Sequence, residues 1–206
     1  MKNLILTTIF ILFAFSECKK GPDDPLISLR TRKARIEGNW TLKSGTEIST
    51  SSGFGGSSGE SHTTYTETNY SYVSHSHSGN SNYSEQNSGT FGMKMSFKKD
   101  GTFTIEQLYD ESTATIKGTW NFTGKTKDIK KKEQIALTLT STSDPDNNAN
   151  SVVNSNQVFA VFNIKELRNK KMVLELEDNS TNPGEEPDGT SIQLVHKYKA
   201  EYVFEQ

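Results

Sequence analysis

The side chains able to do chemistry are few and scattered in this chain of 206 residues, which carries one cysteine and four histidines. His75 and His77 stand two residues apart, a spacing that puts both imidazoles on one face of an extended strand, where their ring nitrogens can share a metal ion. His62 lies upstream, but no cysteine is near and no carboxylate stands at a fixed offset. Solvent-facing histidines are the expectation, and no metal is assigned. Asp178, Glu185, Glu186 and Asp188 crowd an acidic stretch without the spacing of a calcium-binding EF-hand, which reads as a solvated loop. His196 falls in the inward row of the last strand and is expected near the core as a neutral, hydrogen-bonded side chain. There is no nucleophile elbow, no H-E-x-x-H pair and no phosphate-binding loop. The pattern predicts no catalytic residue, no cofactor and no enzyme.

Cys18 is the remaining reactive group, and as a single cysteine it excludes an internal disulfide. It closes an apolar run, Leu4 to Phe15 behind Lys2, that is too short to span a bilayer as a mature helix and has the length of a secretory signal core. A cysteine placed there resembles the bacterial lipoprotein signal, in which it becomes the acylated first residue of the mature chain. The resemblance implies a signal peptide over residues 1–17, acyl chains such as palmitate on Cys18, and a protein held at the outer membrane of a cell envelope. At about 0.8 kcal/mol per buried CH₂, two or three acyl chains would hold it firmly. Residues 18–34 read as a tether and a short helix, with Asp24 as cap and Pro25 in the first turn. Lys19 followed by Asp23 and Asp24 resembles the surface-export signal of Bacteroidota lipoproteins, which leaves the membrane face open. Arg30, Arg32, Lys33 and Arg35 are expected as a solvated basic helix face, or one that meets anionic headgroups.

The elements that must position everything else alternate with a period of two. Phe91, Met93, Met95 and Phe97 share one parity, Asp100-Gly101 supplies a turn, and Phe103 and Ile105 resume the apolar face. Ile116, Gly118, Trp120 and Phe122 repeat it, so three consecutive antiparallel strands are predicted from Phe91 to Phe122. Ile36, Gly38, Trp40 and Leu42 make an earlier strand; Ile135 to Leu139, Val158 to Ile164, Met172 to Leu176 and Thr190 to Glu205 make later ones. Hydrophobic residues are only 32% of the chain, but the deficit lies in Ser, Thr, Asn and Gly tracts, above all in a polar insert at residues 44–90. Net charge is −2, which gives no reason to expect nucleic acid as a partner.

Gly38-Asn39-Trp40 on the first strand resembles the G-x-W signature of lipocalins. The order of Phe97 to Phe103, Gly118 to Phe122 and Ile164 to Leu167 is similar to that in small lipocalin-like lipoproteins of Bacteroidota. The resemblance implies an all-β fold, an antiparallel up-and-down barrel of eight or nine strands with a short N-terminal helix. The barrel would occupy residues 35–206, with the insert projecting from one rim. Gly38, Trp40, Gly118 and Trp120 are then barrel-closing and core residues. Two functional readings follow, both non-enzymatic. A membrane-anchored barrel could hold a small apolar ligand, or a filled barrel could offer Tyr65, Tyr70 and Tyr72 of the polar arm to a surface protein or glycan. The inward side chains Phe91, Phe97, Phe103, Trp120, Phe162, Tyr198 and Phe204 argue for a filled interior.

Overall fold

The computed structural model describes residues 30–123, 134–144, 149–152, 158–185 and 189–206. It opens on a short helix, α1 (Arg32–Ile36), started by Thr31, whose hydroxyl accepts the Ala34 N–H at 3.1 Å. Among the described residues eleven strands follow: β1 (Gly38–Ser52), β2 (Ser58–Thr66), β3 (Asn69–Ser78), β4 (Ser81–Phe97), β5 (Thr102–Tyr109), β6 (Ser112–Thr123), β7 (Gln134–Asp144), β8 (Ala149–Val152), β9 (Val158–Leu167), β10 (Lys171–Glu185) and β11 (Ser191–Glu205). The helix expected at Asp24 and Pro25, and Cys18 itself, lie outside the described residues.

The sheet closes on itself, so at the level of its base the ring has no edge strand among the described residues. From β1 it runs through β11, β10, β9, β7, β6, β5 and β4, and β4 returns to β1. At the base that return is direct, with Gly38, Asn39, Trp40 and Thr41 opposite Phe97, Ser96, Met95 and Lys94. From Ser44 onward the hairpin of β2 and β3 is wedged between them, β1 pairing with β2 and β3 with β4. The ring therefore has eight strands at its base and ten above, with β8 a short addition along β7. This corrects one expectation, since the ring has ten strands rather than eight or nine. Residues 44–90 join the wall through β1 and the wedge and then run on past the β5–β6 turn, where, among the described residues, β4 from Ser81 to Gly89 pairs only with β3, so the upper part of the insert projects from one rim. The apex of the wedge is fastened by the Lys43–Glu67 ion pair at 2.5 Å and by the Phe91 N–H donating to the Thr68 carbonyl at 2.9 Å. At roughly 4.8 Å per strand, the wedge adds about 10 Å to the circumference.

The narrow base is solid. Trp40, Leu42, Phe97, Phe103, Trp120, Leu137 and Phe204 are buried there on the parity their spacing predicts, and Leu167 joins them through a register shift between β9 and β10. Asp100-Gly101 makes the predicted turn, with Gly101 at φ +87° and the Thr102 N–H donating to Asp100 Oδ1 at 2.9 Å. Helix α1 closes the bottom: Ile36 is fully buried and its carbonyl accepts the Trp40 indole N–H at 2.7 Å. Arg32 and Arg35, expected on a solvated face, are buried instead. Arg32 donates to the Ile164 carbonyl at 3.4 Å and Arg35 to the Leu167 carbonyl, so guanidiniums satisfy β9 carbonyls while their stems cover apolar surface. A further correction concerns Asp178 to Glu185, which continue β10 opposite β11 instead of forming a loop.

Candidate functional site: a calyx above the solid base

Where the ring widens, the interior is no longer filled. A cavity of about 300 Å³ opens among β4, β5, β6, β9, β10 and β11, lined chiefly by Met93, Met95, Ile116, Phe162, Tyr198 and Tyr202. Of the aromatics counted toward a filled barrel, Phe97, Phe103 and Trp120 plug the base, whereas Phe162, Tyr198 and Phe204 line the cavity. A wider groove of about 570 Å³ runs along the outer end of β1 to β4, but Ser51, Ser58, Glu60, His75 and their neighbours make it polar and open to water. The calyx is the enclosed apolar site, with the character of a small-ligand pocket at the lower end of the usual size range.

Two bulges set what faces this cavity. In β1 the pairing with β11 slips by one residue between Leu42 and Ser44, and a slip of one reverses the parity of everything beyond it. Gly45, Glu47, Ser49 and Ser51 consequently take the inner face that strict alternation from Trp40 would give to Ser44, Thr46 and Ile48. In β9 Leu137 pairs with Ala160 but Thr138 with Val158, leaving Phe159 as the extra residue. The bulge turns Phe159 onto the cavity while leaving it 49% exposed, so it stands at the opening.

An aromatic belt crosses the inner face at the level of Gly45. Tyr202 and Tyr65 have ring centroids 6.3 Å apart, Tyr65 and Phe91 4.5 Å, Phe91 and Tyr109 6.5 Å, and Tyr109 and Tyr70 4.8 Å. Gly45 makes room for it, since a Cβ there would sit 2.8 Å from the Tyr202 ring. Just above lies Glu47, half-buried. Tyr202 donates its hydroxyl to the Glu47 carboxylate at 2.5 Å, and the Tyr198 hydroxyl lies 3.3 Å from that of Tyr202. Burial first, and the Glu47 charge second, push Tyr202 and Tyr65 well above the usual phenol range; burial also raises Tyr198. All three phenols stay protonated at neutral pH, and Tyr202 is the one whose hydroxyl bonds the carboxylate directly.

The residues singled out from sequence are placed as follows. Gly38 has φ +139° and packs against Gln206, and Trp40 lies in the base. Gly118 sits where β6 and β7 approach so closely that a Cβ would come within 1.9 Å of the Thr138 carbonyl oxygen. Trp120 is buried, donates to the Lys98 carbonyl at 3.1 Å and has the Lys33 ammonium 6.0 Å from its ring centroid. Tyr70 is buried, and Tyr65 and Tyr72 are partly buried against the core; all three share the inner face, and none lines the cavity directly. His62 pairs with Glu60 at 2.7 Å and His77 with Asn82 at 2.8 Å on the outer face, and no cluster able to hold a metal occurs among the described residues. His196 is exposed, because the inward row of β11 runs past the core into the flared rim. Glu186 and Asp188 lie outside the described residues.

Sequence reasoning missed Glu47 and Phe159. Each owes its position to a bulge, and the one available signal was the break in alternation at Lys43-Ser44. Fold and site together define the class: a closed antiparallel β-barrel, consistent with a lipocalin-like fold, with room for a ligand. The chain matches no family model, no curated protein and no solved structure, so no family or lineage is identified.

Proposed function

We propose that this protein is a non-enzymatic binding module, attached to the outer membrane through lipid on Cys18, that holds a small and largely apolar ligand in the calyx. The observation that carries the reading is the cavity of about 300 Å³ whose walls are thioether, aliphatic and aromatic above a solid base. Methionines at 93 and 95 suit such a role, since their unbranched side chains adjust to different apolar shapes. Phe159 at the opening would cover a bound molecule.

The test is uptake of an uncharged apolar dye, N-phenyl-1-naphthylamine, by the full-length protein. One dye per chain is expected, with Ala160→Trp, which fills the cavity from β9, abolishing uptake while the fold is retained by circular dichroism. Uptake that survives Ala160→Trp would place the dye elsewhere and end the calyx proposal.

A further inference from the structure

The polar corner of the calyx has a definite chemical sense. A tyrosine hydroxyl has a single proton to donate. Tyr202 gives its proton to Glu47, so the 3.3 Å contact between the two hydroxyls cannot use it, and Tyr198 must donate toward Tyr202 or Glu47. With both protons directed away, these two lining residues offer the cavity their oxygen lone pairs and ring faces. A ligand end that meets them must therefore donate hydrogen bonds. Behind them Glu47 has no ion-pair partner among the described residues, and its negative charge favours a cation within reach.

The strands above the calyx carry the same sign. Reading the register across the sheet, Asp178, Tyr198, Ser49, Ser61, Ser74 and Glu85 form one row on the face that Tyr198 shares with the cavity. The row below it joins Leu176, Ala200, Glu47, Thr63, Tyr72 and Asn87. No lysine or arginine occupies a paired position in either row. The nearby lysines Lys165 and Lys199 are on the outer face, engaged with Glu175, Glu177 and Glu201. A low-dielectric hollow beneath carboxylates of one sign concentrates cations and repels anions.

We infer that the calyx takes an amphipathic organic amine, its apolar body among Met93, Met95 and Phe162 and its ammonium on Tyr198 and Tyr202 against Glu47. This rests on the proposed binding function and narrows it: the ligand is a cationic amphiphile, and fatty-acid carboxylates are rejected. Attraction of an ammonium to tyrosine faces and to a carboxylate-backed oxygen adds to the apolar contacts that any alkyl chain would make.

The experiment titrates octylamine, octanol and octanoate, identical in chain and different in head, into the full-length protein at pH 7 by calorimetry with matched blanks. Octylamine is expected to bind at least about tenfold tighter than octanol, with octanoate weakest. Glu47→Gln keeps an acceptor for Tyr202 without the charge and should remove the advantage of the amine over the alcohol while octanol is held as before. Tyr198→Phe, which deletes only a lining oxygen, should reduce the same advantage and provides the result if Glu47→Gln fails to fold. Equal binding of amine and alcohol, or tighter binding of octanoate, overturns the amine assignment and leaves the calyx as a binding site. Binding of none of the three overturns both.

Discussion

Adding one methyl group to Gly118 tests the barrel closure more sharply than removing a large core side chain. Gly118 lies on β6 between Phe103 on β5 and Leu139 on β7, at a point where the β6–β7 register shifts. A Cβ there would stand 1.9 Å from the Thr138 oxygen, 2.6 Å from the Phe103 ring and 2.9 Å from the Thr138 carbonyl carbon. Ordinary contact begins near 3.4 Å, so the two strands would have to part by about 1.5 Å. Two of those three atoms are backbone held by neighbouring ladders, and no rotamer change relieves them. Overpacking typically costs 1–3 kcal/mol, and a clash against backbone belongs at the upper end, so Gly118→Ala should lose about 3 kcal/mol. Gly92→Ala is the internal control. Its Cβ would meet only the Leu108 Cβ at 3.8 Å, and restricting the unfolded chain should leave it between neutral and about 1 kcal/mol more stable. Urea unfolding followed by tryptophan fluorescence compares them directly, with a fall in melting temperature of about 6–12 °C expected for Gly118→Ala in a chain of this size. If Gly118→Ala unfolds within about 0.5 kcal/mol of the parent, the close approach of β6 and β7, and the closure that depends on it, is wrong.

Trp40 is fully buried and hydrogen-bonded to Ile36, so Trp40→Ala should cost about 3–5 kcal/mol in the same assay; a parental midpoint would remove Trp40 from the base. Tyr202 and Tyr65 have folded pKa values raised by burial and then by Glu47, so the stability they contribute is complete below the usual tyrosine range and is lost as pH rises past about 10. Tyrosinate absorbance should show these two ionising only as the barrel unfolds in base, whereas titration of all seven tyrosines together near the ordinary value, with the fold intact, would contradict their burial. Asp100 has its carboxyl held below the usual range by the Thr102 hydroxyl and then its N–H, so that turn should loosen only in acid, as pH falls through the lowered value; Asp100→Asn should flatten this dependence in hydrogen exchange of the Thr102 amide. Cys18→Ala should move the protein from the membrane to the soluble fraction, and unchanged fractionation would defeat the lipid anchor.

Alternation carried much of the fold because most of the base is regular sheet with one dry face. Phe91, Met95, Phe97, Phe103, Ile105 and Trp120 were legible as a core from spacing alone, and all are buried. The pairing of the insert into the ring was not legible: Ser61, Thr63, Ser74 and their neighbours pair by backbone hydrogen bonds, and a strand with a polar inner face leaves no trace in hydropathy. The site was harder still. Its carboxylate and its mouth residue are placed by one-residue slips at Lys43 and Phe159, which cost little locally and reverse every side chain beyond them. Arg32 and Arg35 were misjudged because charge usually means water. Here carbonyls of β9 required donors at a buried strand end.

The wedge of β2 and β3 touches the ring only along its flanks and at one apex, so hollowness and firmness belong to different parts of the chain. Excising the wedge and splicing β1 to β4 would allow the seam begun by Trp40 and Met95 to run on upward, as in a zipper drawn shut. The shortened molecule should keep its foundation and lose its chamber. Lengthening the wedge should do the reverse, widening the upper ring while the residues that plug the base stay untouched.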